Sequence, residues 1–211
     1  MTRPERAALL VERLPRLYPD AHCELVFADP LQLLVATILS AQCTDVQVNK
    51  ITPALFAAYP TAADYAAANP LELESLVQST GFFRNKAKNI RLAARDIVEK
   101  FGGDVPRTLG ELVTLAGVGR KTANVVLGNA FGLEEGIVVD THVTRLSTRL
   151  RLTTKKDAEK IESDLIRLIP RGKWTLFPHW LIAHGRRICT ARNPKCTLCE
   201  LADLCPGAGK I

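Results

Sequence analysis

Long apolar runs are missing from this 211-residue sequence. The longest, residues 31–41 and 123–131, fall far short of the ~20 residues that a membrane helix needs, which leaves no candidate bilayer span. The opening Met1-Thr2-Arg3-Pro4-Glu5-Arg6 leads into no apolar stretch with a cleavage site, so a secretory signal is not expected and a cytoplasmic protein is. Repeats, low-complexity tracts and long linkers are absent as well. β-Branched alternation is scarce while alanine and leucine dominate, a balance that points to a mainly helical fold.

What is present suits a folded protein: 47% of residues are hydrophobic and 24% charged. The length is enough for a real core in one domain or two small ones. The net charge of +6 is unevenly spread, because residues 1–142 hold 14 basic and 16 acidic side chains and residues 143–211 hold 14 and 6. A basic C-terminal third invites a polyanion, most commonly nucleic acid, although a solvated surface accounts for the charge equally well. Helical periodicity predicts helices near residues 5–17, 31–42, 45–58, 70–79, 84–101, 109–115, 141–150, 155–169 and 175–188. Asp29-Pro30 reads as an N-cap with proline at the first helical position. The shift in charge near residue 136 suggests two lobes.

Residues 112–123 read as a helix ending at Ala116, a tight turn, and a second helix starting at Gly119. Gly117 and Gly119 allow a sharp reversal while Val118 anchors it in the core. The N–H groups of the turn and of the new helix would then face outward, where a phosphate fits the positive end of the helix dipole. An ordinary helical hairpin is the plain alternative. Against it, Arg120 and Lys121 occupy the first helical turn, where the dipole disfavours cations unless an anion is bound or the amine is activated. A lysine amine kept neutral there is a nucleophile able to attack a sugar carbon and form a Schiff base; standing alone, Lys121 reads sooner as a solvated surface lysine. Asp140, between Ile137-Val138-Val139 and Thr141-His142, reads either as a helix N-cap or as a carboxylate that assists departure of a base and stabilises a cationic sugar.

Six cysteines in a cytosolic chain seldom mean disulfides. Cys23 and Cys43 stand apart and read as buried structural thiols. The ladder Cys189-x6-Cys196-x2-Cys199-x5-Cys205 points to a metal centre. Zinc sites commonly show two short-spaced pairs, whereas only one pair is short here, so the spacing favours a [4Fe–4S] cluster over zinc. Arg186, Arg187, Arg192 and Lys195, with no acid among them, would offset the negative charge of such a cluster or reach DNA phosphates.

With Leu-Ala-Gly-Val-Gly-Arg-Lys-Thr-Ala, Val-Val-Asp-Thr-His and the cysteine ladder in order, the chain resembles the bacterial endonuclease III family over nearly its whole length. The resemblance implies an all-α protein of two helical domains. One, residues 22–135, would be a six-helix barrel with a helix-hairpin-helix at about residues 109–128. The other, residues 1–21 plus 136–211, would carry the cluster loop 189–205, with the active site in the groove between the two. It implies a bifunctional DNA N-glycosylase and AP lyase of base excision repair, acting as a monomer in the nucleoid on double-stranded DNA with damaged bases or abasic sites. Oxidised pyrimidines are the substrates that the resemblance suggests. Lys121 would attack C1′ of a flipped nucleotide with help from Asp140, and β-elimination would break the strand 3′ to the lesion. Cys189, Cys196, Cys199 and Cys205 would hold the cluster.

Further roles follow from the same resemblance. Gly117, Val118, Gly119, Arg120 and Thr122 would contact the DNA backbone. Gln42 would fill the gap left by the flipped nucleotide, and Phe82, which reads otherwise as a core aromatic, would be a wedge in the stack. Arg84, Lys86, Lys88, Arg91 and Arg95 form a basic run suited to the backbone near that wedge. Ser40, Asp45 and His142 are candidates for the pocket lining. Two departures from the family stand out: Cys43 replaces a small alanine, and the wedge is aromatic rather than leucine. Two other readings remain open at this point, an adenine-mismatch-type monofunctional glycosylase and a non-catalytic iron–sulfur DNA-binding sensor. The first generally lacks the lysine that Lys121 supplies, and the second leaves Lys121 and Asp140 idle.

Overall fold

A computed structural model describes residues 1–209. Its regular elements are helical, eleven α-helices and three 3-10 turns, with no strand among the described residues. Among the described residues no helix is long and apolar enough to cross a membrane. The chain divides into two compact units, Cys23–Leu133 and Met1–His22 with Glu134–Ile211.

The continuous unit holds α2 (Pro30–Leu39), α3 (Asp45–Ala58), α4 (Ala62–Ala67), α5 (Pro70–Val77), α6 (Phe83–Phe101), α7 (Leu109–Leu112) and α8 (Arg120–Phe131). Most of these helices start where a side chain closes the first turn. Asp29 accepts from the Gln32 N–H at 2.8 Å with Pro30 at the first position, and Thr44, Thr61, Asn69 and Thr108 cap α3, α4, α5 and α7. The short α4 was not foreseen from periodicity; a capping box between Thr61 and Asp64 starts it, and it packs on α6. Helix α6 buries one stripe, Ala87, Ile90, Ala93, Ala94 and Ile97, and its neighbours are α2, α4 and α5. Leu33, Leu39, Leu55, Tyr65, Leu73 and Leu112 fill the rest of this core.

The hairpin differs from its expected form on the N-terminal side. Helix α7 ends at Leu112 rather than Ala116, because Thr114 and Leu115 bond back to Glu111 and Leu112 in the tighter 3-10 pattern. The reversal at Gly117 requires glycine twice over. Its φ is +77°, and a Cβ there would lie 2.9 Å from the Asn89 side chain on α6. Gly119 has φ −90° and open space around its Cβ position, so neither backbone nor packing demands glycine there. Leu115 and Val118 are buried and fix the turn to the core.

The discontinuous unit holds α1 (Arg3–Leu17), α9 (Thr141–Arg149), α10 (Ala158–Ile166) and α11 (Leu176–Arg187), with 3-10 turns Cys196–Leu198 and Ala202–Leu204 in the cysteine loop. Leu10, Leu14, Val143, Leu146, Phe177 and Leu181 are fully buried together. Gly185 on α11 leaves room for its neighbours, since a Cβ would meet Arg145 and His142 of α9 at 2.9 Å. Helix α1 is joined to the C-terminal third by a buried arginine: Arg6 Nε donates to the Leu204 carbonyl at 2.9 Å and Nη1 to the Leu150 carbonyl at 3.2 Å. At the surface, Arg13 pairs with Asp203 and Arg187 with Asp20.

Two stability experiments follow. Arg6→Ala leaves both carbonyls without their donor and should cost roughly 1–3 kcal/mol per orphaned group, read by denaturation followed by circular dichroism. Gly117→Ala should cost roughly 1–3 kcal/mol from its left-handed backbone alone, whereas Gly119→Ala should stay within about 0.5 kcal/mol of the parent. Equal losses in the two glycine variants would contradict the geometry of the turn.

Candidate active site and metal centre

Helix α8 begins without a capping side chain, because Gly119 has none to offer. The N–H groups of its first turn therefore carry the positive end of the helix dipole with no side-chain cap oxygen in front of them. Arg120 and Lys121 occupy this turn and are exposed, Thr122 is half-buried, and Gly117 and Gly119 are exposed on either side of buried Val118. The arrangement offers main-chain donors, a guanidinium and a primary amine on one short stretch.

Two more turns in the same unit carry candidate residues, and both hold a non-glycine residue in the left-handed region. Gln42, just beyond α2, has φ 53°, and Phe82, which opens α6, has φ 48°. Both side chains are exposed, Phe82 at 64%. Phe82 therefore stands outside the core. Ser40 caps the end of α2, its hydroxyl donating to the Thr37 carbonyl at 2.9 Å, and half-buried Asp45 opens α3. Arg84 is exposed, lies over the Phe83 ring and approaches Glu74 at 4.0 Å.

The basic run on α6 is not a continuous outward face. Lys86 is only 4% exposed, and its ammonium donates to the Leu39 carbonyl at 2.8 Å and to the Thr80 carbonyl at 2.7 Å. Burial pushes the pKa of Lys86 down from the usual lysine range, and Cys43 nearby opposes that shift. Lys88 and Arg95 are exposed and Arg91 is half-buried. The inward turn of Lys86 was legible in principle. It sits one position before Ala87 and four before Ile90, on the stripe that the helix buries.

In the other unit Asp140 caps α9, one carboxylate oxygen accepting from the Val143 N–H at 2.7 Å. Asp140 is half-buried, behind buried Ile137 and Val139. The His142 ring is half-buried and lies 3.1 Å from Arg145 of its own helix.

Cys189, Cys196, Cys199 and Cys205 line one cavity, together with the apolar Leu146, Leu150, Ile188 and Leu201. No group of three or more His, Cys, Asp or Glu among the described residues gathers as a single metal ion would require; the four thiols stand around a shared space instead. Donors from the surrounding helices reach the sulfurs. Arg149 Nη1 lies 3.2 Å from Cys189 Sγ and also donates to the Thr190 carbonyl, while His184 Nε2 lies 3.6 Å from Cys199 Sγ. Burial holds His184 down at about 4 and Tyr18 up at about 12, so both are uncharged near neutral pH. The Tyr18 hydroxyl lies 2.6 Å from His184 Nδ1, a hydrogen bond whose direction follows the tautomer of the ring.

Burial pushes the thiols of Cys199 and Cys205 up, and the other cysteines of the set push the same way. Thiols held up in this way at Cys199 and Cys205 suit a group that brings its own positive charge, as iron does. The donor set therefore fits a thiolate-bound iron–sulfur cluster. Cys23 and Cys43 are partly buried against the core of the other unit.

Comparison with known proteins agrees with this chemistry. The model of the HhH-GPD superfamily of base excision DNA repair proteins matches residues 35–171, and that of the iron–sulfur binding domain of endonuclease III matches residues 189–205. Endonuclease III of Synechocystis sp. is 56% identical over 98% of this chain and 94% of its own length, and that of Escherichia coli is 41% identical over 100% and 99%. A solved non-covalent endonuclease III–DNA complex superposes with a TM-score of 0.93 at 43% identity, covering 100% of this chain and 98% of that one. A trapped endonuclease III–DNA covalent intermediate has the same TM-score and identity, covering 100% and 99%. The chain thus belongs to the HhH-GPD superfamily and, within it, to the endonuclease III family: it is a DNA glycosylase with AP lyase activity that carries a [4Fe–4S] cluster.

Proposed function

We propose that Lys121 is the nucleophile of a bifunctional reaction on damaged, chiefly oxidised, pyrimidines in double-stranded DNA, and that Asp140 assists it. The observation that carries this reading is the exposed primary amine of Lys121 in the first turn of the uncapped helix α8, beside donors suited to a DNA phosphate. Lys121 Nζ bonds to C1′ of the flipped nucleotide as the bond from C1′ to the base breaks, and the base leaves with the bonding pair and takes up a proton. The Asp140 carboxylate stabilises the positive charge that develops on the sugar in this step. Opening of the sugar ring gives an imine. Loss of a proton from C2′ then expels the 3′ phosphate, and water releases the free amine and the strand end. The trapped covalent intermediate solved for a relative of 43% identity supports a covalent route here.

The other contacts with DNA divide into three groups. The main chain at Gly117, Val118 and Gly119, with Arg120 and Thr122, holds a backbone phosphate, and Arg84 meets the duplex near Phe82. Gln42 fills the gap that base flipping leaves and Phe82 wedges the stack. Ser40, Asp45 and His142 line the base pocket. Cys189, Cys196, Cys199 and Cys205 ligate the cluster. The cluster, when bound, supplies a charged crosslink among four points of the loop 189–205, and the hydrolytic and elimination steps rest on the protein's own side chains. The enzyme works as a monomer on chromosomal DNA in the cytoplasm.

Lys121→Gln should abolish strand cleavage and borohydride trapping of a protein–DNA adduct while leaving affinity for an abasic duplex within a few-fold of the parent. Cleavage that survives this change would remove the assignment. Asp140→Asn should slow base removal while helix α9 keeps its cap, which far-UV circular dichroism would verify. Cys199→Ser should lower the iron content and the visible absorbance of the purified protein. A protein that holds zinc and no iron at all would overturn the ligand assignment.

A further inference from the structure

We propose that Lys86 is a positioning residue that locks the Gln42 and Phe82 turns into one rigid unit, so that gap filling and wedging happen together. The inference rests on the roles given above to Gln42 and Phe82. Lys86 itself has no access to DNA, being 4% exposed.

The geometry sets out the task. Leu39 is the last residue of α2, so its carbonyl belongs to the helix end where acceptors lack partners and the dipole is negative. Thr80 closes the 3-10 turn Gln78–Thr80, where the same shortage of donors holds. One ammonium satisfies both carbonyls, at 2.8 and 2.7 Å. Three residues beyond the first carbonyl the chain enters the left-handed region at Gln42, and two residues beyond the second it does so at Phe82. A non-glycine residue in that region persists only where its surroundings hold it. The buried lysine is common to both turns. A second tie supports the pair: Gln47 Nε2 of α3 donates to the Ser79 hydroxyl at 2.8 Å.

A purely apolar residue at position 86 would pack the α6 stripe as well, and the helix around it is already apolar at Ala87 and Ile90. The ammonium differs in offering three donors on a stem long enough to reach two separate chain segments. Two probing residues that moved independently would each have to be ordered at the moment of insertion into the duplex. Fixing them in advance lowers that entropy cost.

The test compares one lesion in two contexts, thymine glycol paired with adenine in a continuous duplex and thymine glycol in an unpaired bulge. The bulged base is already unstacked, so opening is not required of the enzyme. Single-turnover base removal is measured on both for the parent, Lys86→Met, Lys86→Gln, Gln42→Ala and Phe82→Ala. Misplacement of a positioning group by about 1 Å can cost roughly 100-fold, so the paired-to-bulged rate ratio should fall roughly 10- to 100-fold in Lys86→Met. Lys86→Gln, which keeps two N–H donors on a shorter arm, should give a smaller fall in the same direction and serves where the methionine variant does not fold. Gln42→Ala and Phe82→Ala should lower the ratio too, and combining either with Lys86→Met should add little. If the Gln42 and Phe82 variants lower the ratio while both Lys86 variants keep the parent value, the positioning role is overturned alone. If the Gln42 and Phe82 variants leave the ratio unchanged, the reading of those two turns fails and the inference fails with it.

Discussion

An α-helix leaves its first backbone N–H groups without partners inside the helix, and the way each is supplied divides this protein into scaffold and working parts. Thr2, Asp29, Thr44, Thr61, Asn69, Thr108, Asp140 and Asp157 each turn a side-chain oxygen onto the helix that follows. Helix α11 lacks such a cap, yet Glu134 accepts from the N–H groups of Gly172 and Thr175 just before it. Helices α6 and α8 start on Phe82 and Gly119 with no cap from a side chain. Each lies beside a turn to which duplex contact is assigned, while the third such turn, at Gln42, runs into α3 with its Thr44 cap. A helix start that its own sequence leaves uncapped is one whose donors can be turned to a ligand's oxygens.

The same economy governs glycine at the hairpin. Gly117 is fixed from inside by its left-handed backbone and by Asn89 pressing against the place where a side chain would be. Nothing inside the protein requires Gly119. Its missing side chain would be felt only by something approaching from solvent, and the phosphate contact proposed at the start of α8 would need that clearance. Two glycines two positions apart thus answer to different constraints, one of folding and one of access.

Much of this could be read from the sequence, and the failures have physical causes. Asp29-Pro30 and the stretch that became α3 carried local signals that decide a helix start by themselves: a side-chain cap, a proline at the first position, a continuous period. Helix α4 escaped because six residues are too few to show a period, although Thr61 and Asp64 spell out its capping box. The overlong reading of α7 came from apolar Leu115, which is buried from a turn as effectively as from a helix. Lys86 was misread for a different reason. Charge predicts exposure on average, and only the helical stripe, weighed above residue type, places that lysine inside. The left-handed residues Gln42 and Phe82 had no sequence signal, since neither is a residue that favours that region.

Buried or half-buried cations recur where the chain has to hold segments far apart in sequence. Arg6 ties helix α1 to the ends of two C-terminal segments through their carbonyls, and Arg149 reaches the carbonyls of Thr190 and Ala191 as well as a cysteine sulfur. Lys86 does the same between α2 and the turn before α6. The oxygens they hold are main-chain carbonyls rather than carboxylates. A carbonyl at the end of a helix or turn cannot be removed by a side-chain substitution, so such a tie depends on one residue instead of two. At Arg149 the tie also leaves positive charge beside the cysteine set, which an internal ion pair would cancel. Stability and attraction for DNA are therefore served by the same residue type, with burial deciding which task each one performs.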